Sequence, residues 1–235
     1  MGDCIPRKAK SLKEQCINYL EERIISGDFP SGHRLPSERA LAGMLRVSRP
    51  VVHESVVELS NRGFITILPR RGCIVNDFRT TGSSELLSSL FRYASGSLRP
   101  DILSGMAEMR LLFETEMARL AALRRSNEGI VRLKAALRQE VKVAESVDWR
   151  GKVIAEADYA FHHAIALAGE NIVYQMLMNS FRTLYLNVLS RFYGKRFDLR
   201  PILDKHRALL ANIVEGKGED AAWEMKGLLT MNKAV

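Results

Sequence analysis

Several things are scarce in this chain of 235 residues, and each scarcity closes off a class of protein. No apolar run reaches the roughly 18 residues that a membrane-spanning helix needs, so no membrane partner is expected. The opening MGDCIPRKAKSLKEQ lacks the apolar stretch of a secretion signal. Three cysteines (Cys4, Cys16 and Cys73) cannot all pair, and they have neither metal nor redox spacing. A reducing cytoplasm is the expected setting. Low-complexity tracts are absent, and aromatic residues are sparse at 7%, yet apolar residues reach 46%, enough for a proper core.

What the chain does have is positive charge. Its net charge is +8, with a pI near 9.6, which favours an anionic partner such as nucleic acid. The excess is only mildly localised: 13 basic residues face 9 acidic ones up to Arg79, the same surplus that the remaining two-thirds carries.

Along the chain, the segment SLKEQCINYLEERIIS (11–26) has a helical stripe of Leu12, Cys16, Tyr19, Leu20 and Ile24, stopped by Gly27. GDFPSGHRLP is turn chemistry. Ser37 can cap a short helix through about Leu45, and Ser48 a longer one through about Arg62, with Pro50 in its tolerant first turn and Gly63 as its end. The period then changes: Phe64 to Leu68 and Cys73 to Val75 read as two short strands joined by a tight basic turn at Gly72. NDFRTTGSS (76–84) reads as a linker. Beyond it no strand is convincing, and helices are expected at 85–98, 101–125, 127–147, 151–168, 171–193, 198–215 and 219–232. The expected architecture is mainly α. A winged helix-turn-helix with a small β-hairpin occupies residues 1 to 78, and an all-α helical bundle residues 79 to 235.

Helix, turn, helix and hairpin is the order of a DNA-reading module. A recognition helix enters the major groove by its N-terminal turns. There Arg49 and His53 lie one turn apart on the polar side, opposite Val52, Val56 and Leu59. Arginine's forked donors match the two acceptors on guanine's major-groove edge. Ser48, as cap, leaves free backbone N–H groups beside a phosphate. Arg70, Arg71 and Gly72 put two cations on a narrow loop suited to a minor groove or its phosphates. A solvated charged face is the bland alternative, and the order and spacing together favour DNA.

The stretch LPSERALAGMLRVSRPVVHESVVELSNRGFI, followed by RRGCIV, resembles the GntR superfamily of bacterial transcription regulators. The resemblance implies that Arg39 and Arg49 contact DNA. It also implies a palindromic double-stranded operator read by a homodimer. Where the family commonly has a further arginine, this chain has His53.

In the helical part, Asp158 and His162 are spaced i and i+4 on one helix face, good metal-ligand geometry. His206, in phase with Leu203, Leu210 and Ile213, is a third candidate facing the core. An ordinary hydrogen-bonded pair and a lone core histidine are the alternative. MRLLFETEMARLAA (109–122), DYAFHHAIALAGEN and HRALLANIVEGKGEDAA (206–222) resemble the all-α effector domain of the FadR subfamily. The resemblance implies a divalent cation, zinc or nickel, held by one aspartate and three histidines. Asp158, His162 and His206 match three positions, but the fourth falls on Leu228, and His163 is turned about 100° away from His162.

Metal-containing members take small carboxylates. A metal-free branch, the fatty-acid regulators, takes an acyl-CoA. This chain shares VNDFRTTGSSELL and NIVYQMLMNSFRTLYLNVLSRFYG (171–194) with that branch, which implies that Arg110 and Tyr185 face the effector. Met176, Met178, Phe181 and Tyr185 could line an acyl tunnel, although helical spacing suits plain core equally. A fatty-acyl effector is the preferred expectation, with a metal-held carboxylate as the alternative. A metal-dependent enzyme on Asp158, His162 and His206 is the alternative of another class, but no nucleophile or acid/base pair accompanies them.

Overall fold

A computed structural model describes residues 11–82, 86, 100–146, 151–194 and 198–231. The chain divides into two compact units, residues 1–93 and 94–235.

In the first unit, α1 (Leu12–Ser26) opens with a reciprocal cap in which Ser11 and Glu14 each accept the other's backbone N–H, and closes on Gly27 at φ +90°. Its stripe of Cys16, Leu20 and Ile24 is buried. It packs on α3 (Arg49–Asn61), whose inner face is Val52, Val56 and Leu59. Leu20 and Leu59 are fully removed from water, which stabilises by about 1.5–3 kcal/mol each. A buried carboxylate joins the two helices: Glu21 accepts from Arg62 at 2.9 Å, and Arg62 also holds Glu58. Between them in the chain comes α2 (Glu38–Leu45), capped by Ser37, which accepts from the Ala40 N–H.

The hairpin follows, β1 (Ile65–Leu68) antiparallel to β2 (Gly72–Val75), with Ile65 opposite Val75 and Leu68 opposite Gly72. Ile65 and Val75 are both buried and fix the register against the core. The segment read from sequence as turn chemistry alone does more. Leu35 donates to the Cys73 carbonyl and Val75 to that of His33, so Arg34 bridges to Ile74 along the hairpin edge.

The expected linker at 76–84 contains a short helix. Asp77 accepts from the Arg79 N–H and caps a four-residue helix, α4 (Phe78–Thr81). The helix expected at 85–98 lies outside the described residues, apart from Leu86.

The second unit is helical throughout its described residues: α5 (Pro100–Arg124), α6 (Asn127–Ala144), α7 (Lys152–Ala168), α8 (Ile172–Phe192), α9 (Arg200–Glu215) and α10 (Gly218–Met231). These six agree with the expected spans to within one or two residues at most ends. The larger difference, at the end of α6, follows from Glu145 closing that helix. Helix α7 is the central post, packed against α5, α6 and α8, while α10 lies along α5 and α9. Small residues let these helices approach closely. Ala118, Ala121 and Ala122 are buried on α5, and Ala155, Ala164, Ala166 and Ala168 on α7. At Gly129 of α6 an added Cβ would lie 3.0 Å from the Ala168 Cβ, so a larger residue there would push α7 slightly away. Among the described residues no helix is long and apolar enough to cross a membrane.

Candidate nucleic-acid interface and a buried polar site

Every residue that the sequence assigns to DNA reading is solvent-exposed: Arg39, Ser48, Arg49, His53, Arg70, Arg71 and Gly72. Val52, Val56 and Leu59 of α3 are buried, while Arg49 and His53 in its first two turns stay exposed at the start of the helix. Ser48 stands at the N-cap with extended backbone, but its side chain makes no capping hydrogen bond among the described residues. The expected side-chain cap is therefore not formed. Pro50 has no N–H to offer, and the hydroxyl is left beside the first free N–H groups, where an anion is best received.

At the hairpin tip Arg70 has φ +59° and Gly72 φ +85°, the left-handed conformations that turn the chain between two short strands. One contact was not visible in the sequence. His53 Nδ1 lies 2.8 Å from Glu38 Oε1, joining α3 to the first residue of α2. Glu38 and His53 are 15 positions apart, a spacing that periodicity on one helix cannot reveal.

The second site lies inside the bundle. Asp158 and His162 of α7 and His206 of α9 are almost wholly buried, and one ligand atom from each falls within 4.8 Å of the others. His162 Nε2 is 3.9 Å from Asp158 Oδ1, and its Nδ1 is 2.5 Å from Glu114 Oε2 on α5. His206 donates from Nδ1 to Glu140 Oε2 on α6 at 2.8 Å, while its buried Nε2 has no partner among the described residues. Asp158 accepts from the Tyr193 hydroxyl at 2.7 Å and from that of Tyr185 at 3.3 Å. Arg110 completes the circuit, donating to Glu114 at 2.6 Å and to the Tyr185 hydroxyl at 2.7 Å. The residues expected to hold metal and those expected to hold the effector thus form one connected network.

Its electrostatics are set by mutual compensation. Burial alone would raise the Glu114 carboxyl, but Arg110 and then His162 outweigh it and pull the group down to about 2. Burial likewise opposes a charge on His162, and the Glu114 carboxylate overrides it, holding the imidazole above its ordinary value. Burial pushes the Tyr185 and Tyr193 hydroxyls well up, which keeps both as proton donors.

These residues fit a divalent cation. The Glu140 carboxylate hydrogen-bonded to His206 Nδ1 fixes that ring's tautomer and makes its Nε2 a better ligand, the usual outer support of a metal-bound histidine, and Glu114 lies beside His162 Nδ1 as an ion-pair partner. The unpartnered His206 Nε2 is the atom such an ion would satisfy. Leu228 is buried and supplies no fourth donor, and His163 stacks on Tyr159, away from the cluster, as its rotation on α7 predicts. One carboxylate oxygen and two imidazole nitrogens do not discriminate zinc from nickel.

Glu114, Glu140 and Tyr193 were missed by sequence reasoning. Glu114 could have been found, four residues after Arg110. So could Glu140, a charge on the apolar stripe of Leu133 and Leu137. Tyr193 gave no such sign. The expected tunnel lining is corrected at one position: Met178, Phe181 and Tyr185 are buried, but Met176 is 62% exposed. On a helix Met176 lies about 200° from Met178 and cannot share its face.

Comparison with known proteins identifies two family matches. Residues 12–75 match the model for bacterial regulatory proteins of the gntR family, and residues 105–230 match the FCD domain. The transcriptional regulator Mce2R of Mycobacterium tuberculosis is 31% identical over 77% of this chain and 72% of its own. LutR of Bacillus subtilis, also a transcriptional regulator, is 27% identical over 88% of this chain and 93% of its own. A fatty acid metabolism regulator protein of Klebsiella pneumoniae is 26% identical over 93% and 87%. Among solved structures, Lar, which controls expression of the Listeria monocytogenes agr system, superposes with a TM-score of 0.58 at 17% identity, covering 96% of each chain. That likeness concerns the fold.

Proposed function

The chain belongs to the GntR family of bacterial regulatory proteins and carries their FCD domain, and from that premise we propose that it is a DNA-binding regulator responsive to a small carboxylate held at a divalent cation. The family is one of transcription regulators, so the metal-dependent-enzyme alternative falls away.

Residues 1 to 78 read a palindromic operator in the cytoplasm as one half of a homodimer, and residues 79 to 235 sense the effector and dimerise. Arg39, Ser48, Arg49, His53 and the Arg70–Gly72 tip face DNA; the exposure of all of them on one module supports this. Asp158, His162 and His206 hold the cation, which supplies a positive centre for an acid group. Arg110 and Tyr185 orient that group: the guanidinium donates two parallel hydrogen bonds to a carboxylate once it releases Glu114. Effector binding favours one dimer geometry over another, and only a ligand that prefers one of them can shift the population.

The observation that carries the effector reading is the buried, unpartnered His206 Nε2 beside Asp158 and His162. A long apolar chain passed through this network would strip charged groups of their partners, which is costly. The preference for an acyl effector drawn from the sequence is therefore replaced here by the carboxylate. The acyl reading keeps one support, the likeness to the fatty acid metabolism regulators over 93% of the chain.

Native mass spectrometry of the purified protein, followed by thermal melting with small dicarboxylates and with acyl-CoA, separates the two. A dimer with one divalent ion per chain, whose melting rises with a dicarboxylate only when metal is present, is the expected result. A metal-free dimer stabilised by acyl-CoA would establish the other reading.

A further inference from the structure

His53 occupies a reading position, one turn after Arg49 on the outward side of α3, and its side chain is 63% exposed. It is not free to turn. Its Nδ1 lies 2.8 Å from Glu38 Oε1, and Glu38 is fixed in the first turn of α2 by the backbone that Ser37 caps. A carboxylate can only accept, so in the neutral ring the proton sits on Nδ1 and the Nε2 lone pair is presented on the far edge of the ring. In the major groove, cytosine N4 and adenine N6 offer an N–H to such an acceptor. Guanine offers two acceptors and thymine one acceptor and a methyl group.

We propose that His53, oriented by Glu38, is a specificity-determining residue that selects an amino-bearing base, cytosine or adenine, at one position of each half-site. An arginine there, as is common in the family, would select guanine instead. The inference rests on the reading of α3 as the DNA-reading helix. It makes Glu38 a positioning residue, acting on DNA through the imidazole and not by contact.

The test is selection of operators from a randomised duplex library by the full-length protein, then anisotropy titration of every single-base variant of the winning site at one salt concentration. The wild type is expected to favour cytosine or adenine by about 3- to 10-fold at one symmetric position, the scale of a single hydrogen bond. His53→Arg moves that preference to guanine. His53→Ala flattens it and leaves the other positions as they were. Glu38→Ala weakens it at the same position only, because the ring loses its fixed orientation. A wild-type preference for guanine there, or a His53→Ala variant that loses affinity evenly for all sequences, overturns the inference alone. If the wild type selects no sequence and Arg49→Ala changes nothing, α3 does not read DNA, and the inference falls with its premise.

Discussion

The two units use the same kinds of residue in opposite ways. On the winged unit Arg39, Arg49, His53, Arg70 and Arg71 stand in water. Inside the helical unit Glu114, Glu140, Asp158, His162 and His206 are shielded from it, Arg110 is largely so, and they are satisfied mainly by one another. An exposed cation costs the fold nothing, so its partner can come from outside and its removal is felt only when that partner is present. A buried charge is part of the fold's own balance, so removing one member exposes another. A ligand reaching the buried site would have to exchange partners with groups already engaged, whereas an anion meeting the exposed cations displaces only solvent and small ions.

That contrast can be broken by experiment. The largest effect is expected at His206→Ala. Glu140 is 1% exposed and would lose its partner, so urea unfolding should show a destabilisation of about 3–5 kcal/mol, with loss of bound metal. A loss below 1 kcal/mol would mean that the buried network is not internally balanced.

Arg49→Ala should leave unfolding unchanged and cost about 1–3 kcal/mol of specific operator binding, measured by anisotropy against a scrambled duplex. Destabilisation of the same size would place Arg49 among the structural residues. Glu140→Gln is the sharper probe of the interior, because it preserves shape. Metal affinity by calorimetry should fall about 10- to 100-fold, the usual effect of losing an outer carboxylate, with melting of the metal-free protein little changed. The smallest effect belongs to Arg71→Ala, which should weaken binding to all sequences alike and reduce the salt slope by about one.

Local chemistry made most of the fold legible. Ser37, Gly27 and Gly63 mark helix ends through interactions within a few residues, and a stripe such as Cys16, Leu20 and Ile24 shows which side is buried. The pair Asp158 and His162 was legible for the same reason, being one turn apart. What escaped was long in sequence and short in space. Glu140 meets His206 across 66 positions and Glu38 meets His53 across 15, and no periodicity encodes either. Met176 failed differently: grouping it with Met178 by residue type ignored the turn of the helix between them.

The tip of the hairpin has one further consequence. Arg70 holds φ +59°, a conformation that disfavours a side chain by about 1–2 kcal/mol and that glycine adopts freely. Arg70→Gly should therefore make the isolated fold slightly sturdier while depriving the tip of a cation. Such a position is a ratchet for mutation: drift towards stability favours glycine there, and an arginine persists only where selection acts on something other than the fold.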